Sequence, residues 1–285
     1  MPRLRLGVAL LLPEPLASEV DGLRRACDDG AFGRVPPHLT LVPPVNVRVD
    51  DVPEALRVVR KAASTVRPFT LRLGPPSTFL PDTPTLHLAV GGRGDATSVL
   101  RRLRDEVFRP PLERPLTFGF VPHVTIADDM APERIVAAIA ALSGFVVEAS
   151  FERVHLLQEQ RHGDAHRQWV PIADAPFAPP IVVGRGGVEL DLAVCRMVDP
   201  EAVAFETGSW PEDEPTVPRS DAPTGCESIV VTARRRGPVV GVARGWAGGG
   251  RSELCSLLVA PDQRGQGIGR QLVAAFRHAA EQVGE

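Results

Sequence analysis

Apolar positions along this chain follow two periods. Unbroken or alternating runs predict strands, and returns every third or fourth residue predict helices. Residues 4–12 (LRLGVALLL) suit a buried strand, and Leu16, Val20, Leu23, Ala26 and Cys27 set a helix over 15–27. A strand is expected at 38–43, then a helix over 52–65 whose start is marked by Asp51, Pro53 and Glu54. Strands at 68–74 and 84–91 flank the turn-rich GPPSTFLPDTP. Asp95 caps a helix reaching Val107, a strand covers 116–126, and Pro132 opens a helix to Leu142. Strands at 146–157 and 167–172 close the first 172 residues. The order places a helix beside strands twice, so the fold class expected is a duplicated α+β unit with facing halves.

Residues 173–187 (ADAPFAPPIVVGRGG) are rich in proline and glycine and read as a linker between a domain at 1–172 and another at 188–285. The second begins with the strand VELDLAVCRM at 188–197. The proline-rich stretch 208–225 reads as an irregular loop. Strands follow at 228–235, 238–246 and 253–259, then a helix from Gly267 to Val283 with Leu272, Ala275, Phe276 and Ala279 on one face.

Composition narrows the class. With 285 residues the chain is long enough for two cores, and 44% hydrophobic with 24% charged residues is ordinary globular usage. A net charge of −3 argues against a broadly basic nucleic-acid coat. Cys27, Cys195, Cys226 and Cys255 are scattered without a Cys-x-x-Cys pair, which points to reduced thiols in a cytoplasm rather than a disulfide framework or a zinc site. The opening MPRLRLGVALLLPEP is too short an apolar run, stopped by Pro13, for an export signal. No stretch reaches the roughly 20 apolar residues of a membrane span. A soluble, cytoplasmic, bacterial-type protein is expected.

One pattern recurs. VPPHLTLV at 35–42 and VPHVTI at 121–126 both write proline, histidine, an apolar residue, threonine and another apolar residue. On a strand His38 and Thr40 share one face while Leu39 and Leu41 take the other, and His123 and Thr125 stand likewise against Val124 and Ile126. Each motif therefore buries an apolar pair and presents an imidazole beside a hydroxyl. Histidine titrates near neutrality and can give or take a proton, and a threonine hydroxyl can donate to a phosphate oxygen. Two such units around one phosphorus supply a base and an acid for in-line cleavage of a phosphodiester or cyclic phosphate, with no metal required.

On these motifs, the opening strand and helix, and the closing strands FERVHLLQEQ and RQWVPI, residues 1–172 resemble the two-histidine phosphoesterase superfamily of 2'-5' RNA ligases and cyclic phosphodiesterases. The resemblance implies a bilobal cleft and metal-independent chemistry on 2',3'-cyclic or 2'-5'-linked phosphates of an RNA end or small nucleotide. It makes His38 and His123 the acid–base pair and Thr40 and Thr125 the phosphate ligands. Ala127, Asp128 and Asp129 follow the second motif where many relatives carry a basic residue, which disfavours long RNA. His87 and His155 fall in strands and read as packed or rim residues. His162 and His166 lie in the hairpin RHGDAH and read as a solvated turn, and Arg101, Arg102 and Arg104 read as one exposed helix face.

In the second unit the strand at 253–259 leads through Ala260-Pro261 to Arg264-Gly265-Gln266-Gly267-Ile268-Gly269 and a helix. Glycines let backbone amides converge, and a helix N-terminus adds positive potential, so a diphosphate can sit there. This segment resembles the acetyl-CoA-binding motif of GNAT-type N-acetyltransferases. The resemblance implies that Leu257, Leu258 and Val259 pair with the pantetheine arm and that Arg264, Gly265, Gln266, Gly267, Ile268 and Gly269 hold the diphosphate. The family continues with a further strand and helix and often a tyrosine acid, whereas this chain ends at Glu285 and has no tyrosine; Glu253 is a candidate base. The expected domain is short at its C-terminal end. It either transfers an acyl group or binds acyl-CoA and regulates its neighbour.

Overall fold

The computed structural model describes residues 2–92, 94–162, 166–177, 181–183, 189–209 and 222–283. The chain divides into two compact units, Met1–Pro171 and Ile172–Glu285.

In the first unit β1 (Arg3–Leu11), α1 (Leu16–Ala26) and β2 (His38–Arg48) are followed by α2 (Val52–Ser64), β3 (Phe69–Thr78) and β4 (Leu86–Gly92). Then come α3 (Ala96–Val107), β5 (His123–Ala127), α4 (Pro132–Ala141), β6 (Val147–Phe151), β7 (Arg153–His162) and β8 (His166–Pro176). The eight strands form one sheet in the order β6-β3-β4-β5-β2-β1-β7-β8. It reads as two four-stranded halves, and the seam between them is narrow: β2 meets β5 antiparallel through the single pair Leu39 and Val124. This α+β arrangement places the two echoed strands side by side at the centre. The apolar residues of the two motifs, Leu39, Leu41, Val124 and Ile126, are at most 1% exposed and anchor both strands in the core.

Three local expectations need correction. The strand over 116–126 is confined to β5; Pro115 and Pro122 lack the amide that a ladder needs, and Leu116–Pro122 is irregular. Asp51 marks the start of α2 as expected, but Asp95, expected to cap α3, stands at its start without a capping hydrogen bond from its side chain. The expected linker 173–187 is partly structure. Its first residues extend β8, where Ala173, Asp174 and Ala175 are buried, and the Asp174 carboxylate accepts from the Arg196 and Met197 amides at 3.2 Å. Residues 178–180 and 184–188 lie outside the described residues.

The second unit contains β9 (Ile181–Val183), β10 (Leu190–Cys195), α5 (Pro200–Ser209), β11 (Glu227–Arg234), β12 (Val239–Gly248), β13 (Arg251–Val259) and α6 (Ile268–Val283). Its antiparallel sheet runs β13-β12-β11-β10-β9. Strand alternation sorts the core: Ile229 and Val231 pack with Leu272 and Phe276 of α6, while Val230 packs with Ala202 of α5 on the opposite face. Helix α5, which was not expected from the sequence, takes in residues 208–209 of the expected loop 208–225, and residues 210–221 lie outside the described residues. Among the described residues no helix is long and apolar enough to cross a membrane.

Candidate active site

The two echoed strands reproduce each other in detail. Pro37 and Pro122 are buried, His38 and His123 half-buried, Leu39 and Val124 buried, Thr40 and Thr125 half-buried. The Nδ1 of His38 lies 2.7 Å from the Pro36 carbonyl, and the Nδ1 of His123 lies 2.8 Å from the Val121 carbonyl, each two residues upstream. A ring nitrogen facing a carbonyl donates to it, so in each ring Nδ1 is taken up by the backbone and Nε2 is the nitrogen left for chemistry. Because Leu39 faces Val124, antiparallel pairing brings His38 beside Thr125 and Thr40 beside His123 on one face of the sheet. Two imidazoles and two hydroxyls from residues 85 positions apart thus share one patch.

The surroundings set the protonation of the first histidine. Burial pushes the His38 pKa down to about 4, the positive charges of Arg24 and His123 push the same way, and the Pro36 carbonyl offsets this only in part. His38 is therefore neutral at pH 7. Arg24 is itself a buried organiser: its Nε donates to Asp29 at 2.9 Å, and its Nη atoms donate to Asp21, Ala31 O and Val35 O. That network fixes the segment running into Pro36 and His38.

On the other side of the seam stands a third histidine. His87 on β4 pairs with Thr125 on β5, is 4% exposed, and stacks on Phe79 with ring centroids 4.1 Å apart. Its ring lies 5.5 Å from that of His123, and Phe79 approaches His123 edge-on at 4.9 Å. Burial, then the charge of His123, lower the His87 pKa to about 4. His87 does lie on a strand and is packed, but its packing forms a wall of the site.

Other expectations separate from the patch. Arg101 and Arg102 are exposed, whereas Arg104 folds its guanidinium over Phe108 at 3.9 Å and Phe120 at 5.4 Å, so the three do not form one exposed face. Asp128 accepts from the Thr85 hydroxyl at 2.9 Å. His155 lies on β7, paired with Ala9. The side chains of His162 and His166 lie outside the described residues.

In the second unit β13 is an edge strand whose Leu257 is 42% exposed. Past it, Gly265 and Gly267 adopt φ of +78° and +83° with open space where a side chain would stand. A Cβ on Gly269 would lie 3.8 Å from both Leu257 and Val259, so strand end and helix start converge. The Arg264 Nε donates to Val259 O at 3.1 Å, and Arg235 holds Gln263 at 2.6 Å. Leu258 and Ile268 are buried, so they offer main-chain groups only. Among the described residues the outer edge of β13 carries no further strand, and it leads to an open glycine turn before a 16-residue helix, a shape that would suit an extended chain ending in a diphosphate. Glu253 is exposed and six residues up the strand from Val259, on the order of 20 Å from the turn.

Sequence comparison places these sites in context. Residues 12–163, more than half of the chain, match the family model described as the 2'-5' RNA ligase superfamily, and residues 196–285 match the Acetyltransferase (GNAT) family. A Bacillus cytotoxicus protein named "Putative phosphoesterase" is 27% identical over 158 residues, covering 55% of this chain and 89% of its own length. A Bacillus mycoides protein of the same description is 26% identical over 162 residues, covering 56% and 91%. Among solved structures, apo LigT of E. coli aligns at 16% identity and TM-score 0.43 over 62% of this chain and 99% of its own. A Thermus thermophilus protein, TT0787, aligns at 20% identity and TM-score 0.43 over 61% and 97%.

Proposed function

This chain belongs to the 2'-5' RNA ligase superfamily, and we propose that its first unit is a metal-independent phosphodiesterase acting on 2',3'-cyclic or 2'-5'-linked nucleotide phosphates. The observation that carries this reading is the antiparallel seam at Leu39 and Val124, which sets His38 and Thr40 against Thr125 and His123. For a cyclic phosphate, a water oxygen attacks phosphorus as the bond to one ribose oxygen breaks. One imidazole Nε2 accepts the proton of the water, and the other, protonated, donates to the departing alkoxide. Thr40 and Thr125 donate to the non-bridging oxygens, whose charge grows in the transition state.

Hydrolysis of a 2',3'-cyclic mononucleotide in EDTA tests this. Wild-type protein should turn over, and His38→Ala and His123→Ala should each lose roughly a hundredfold or more in kcat with the fold intact. Undiminished turnover in both variants would sink the reading.

The GNAT-matching residues 196–285 support a second activity or a sensor. The open turn at Gly265 and Gly267 favours acyl-CoA binding, with Arg264 to Gly269 on the diphosphate and Leu257 to Val259 along the arm. The bound group would supply an activated acyl thioester. Acetyl-CoA binding should be lost in Gly267→Glu, and acetyl transfer to an amine separates an N-acetyltransferase from a non-catalytic regulatory module.

A further inference from the structure

The two motif histidines face upstream carbonyls in the same way, but the chain that carries those carbonyls is not secured in the same way. Ahead of His38 it is tied at several points. The Arg24 guanidinium donates to Ala31 O and Val35 O, the Leu12 amide donates to Pro37 O at 3.0 Å, and the Trp169 amide donates to Arg34 O at 2.7 Å. Ahead of His123, residues 113–122 make no backbone–backbone hydrogen bond among the described residues. Their ties are side-chain contacts, Arg114 on Pro44 O and the Phe120 ring near Arg104. Phe118 is 64% exposed, and Val121, whose carbonyl faces the His123 Nδ1, is 54% exposed. A hydrogen bond to a loosely held carbonyl fixes a ring poorly, so His123 needs a second constraint.

Ring packing supplies it. Register puts His87 of β4 opposite Thr125, on the same face of the sheet as His123. The His87 and Phe79 rings stack at 4.1 Å with their planes 21° apart, and both stand across the His123 ring. His87 crosses it at 68° and 5.5 Å, Phe79 at 88° and 4.9 Å. These are crossed geometries that aromatic pairs prefer, the edge of one ring on the face of another, and packing of this kind confines a side chain to one orientation. The equivalent position in the first half, opposite Thr40, is Ala9, which has no ring to offer. We infer that His87 is a positioning residue for His123: stacked on Phe79, it holds the second imidazole with Nε2 toward the phosphate, as the Arg24 network holds the first. The inference rests on the phosphodiesterase reading. The role needs a flat ring, and a neutral one, because a charge at position 87 would oppose a proton on His123. Burial keeps the His87 ring neutral at pH 7.

The test reads kcat and KM separately for a 2',3'-cyclic mononucleotide in EDTA, together with the ring-proton NMR signals of His123. His87→Leu should lower kcat about tenfold or more at unchanged KM, because a misaimed imidazole costs rate while the threonine hydroxyls still hold the phosphate. Leucine keeps the apolar volume, so that loss belongs to the ring and not to the packing. His87→Phe should keep most of kcat. Phe79, partly exposed after β3, gives a second variant: Phe79→Ala should show the same loss, and the double variant with His87→Leu should lose no more than either. The His123 ring protons should stay displaced by ring currents in wild type and His87→Phe, and move toward those of a free imidazole in His87→Leu. Wild-type kcat in His87→Leu, or an equal loss in His87→Phe, while His123→Ala is inactive, would overturn the positioning role alone. Absence of wild-type turnover, or turnover indifferent to His123→Ala, would overturn the phosphodiesterase reading and the inference with it.

Discussion

His87 is a buried imidazole, and its environment has a consequence that titration reveals. Its pKa is pushed from the ordinary 6.5 down to about 4, first by burial and then by the charge of His123. In the unfolded chain the same ring protonates near 6.5. Above that pH both states are neutral and the full stability is present. As pH falls from 6.5 toward 4, the unfolded state gains a proton that the folded state refuses, and stability is lost. At about 1.4 kcal/mol per unit, the loss from this ring alone approaches about 3 kcal/mol by pH 4. His38, held neutral in the same range by burial, adds to it. Thermal midpoints of wild-type protein should therefore fall steeply between pH 6.5 and 4, and His87→Phe, which keeps an aromatic ring against Phe79, should flatten part of that slope. An unchanged slope in His87→Phe would show that the ring is charged in the folded protein.

At the scale of elements, the feature with most leverage is the turn of α1 that carries Arg24. Its ion pair with Asp29 is buried on both sides, at 4% and 1% side-chain exposure, and its other donors hold Ala31 O and Val35 O. Removing one partner of a buried pair leaves an uncompensated charge, so Arg24→Met should cost about 3–5 kcal/mol and loosen the approach to His38. Asp29→Asn added to it should restore part of the midpoint, a coupling that a double-mutant cycle measures. Position 24 continues the row Leu16, Val20 at a spacing of four, so a charge inside the apolar stripe of a helix was visible in the sequence; its partner was not, because the loop that supplies Asp29 folds back through irregular backbone. The echoed strands were legible for the opposite reason: alternation alone decides which face each residue takes. Helix α5 went unread, although Asp199 ahead of Pro200 and Glu201 is a start signal whose carboxylate accepts from the Ala202 amide at 2.8 Å. The segment PEAVAFETGS hides it by lacking an apolar stripe. The contact between His87 and His123 depends on which strands become neighbours, and no local pattern records that.

Across the whole molecule two cores are built from separate sheets, yet β8 runs from His166 to Pro176, through the division between Pro171 and Ile172. One strand ends the first unit and begins the second, which is why the proline-rich composition of 173–187 misreads as a linker. The continuous strand makes coupling between the units a question of measurable free energy. A ligand at 100 times its dissociation constant stabilises the unit that binds it by about 2.7 kcal/mol, or roughly 5–10 °C for units of this size. If each unit unfolds on its own, cytidine 3'-monophosphate should raise only the transition belonging to the first core, and acetyl-CoA only that of the second. Assignment is direct: Gly245→Val should selectively lower the second transition, because a Cβ there would run into Glu253 O and stand 2.7 Å from the Phe276 ring. Calorimetry of the full chain with each ligand reads the outcome. Acetyl-CoA raising both transitions would mean that the cores share free energy through β8, and would favour the sensor over an independent acetyltransferase. Two shifts that stay separate would leave the chain as two activities on one strand.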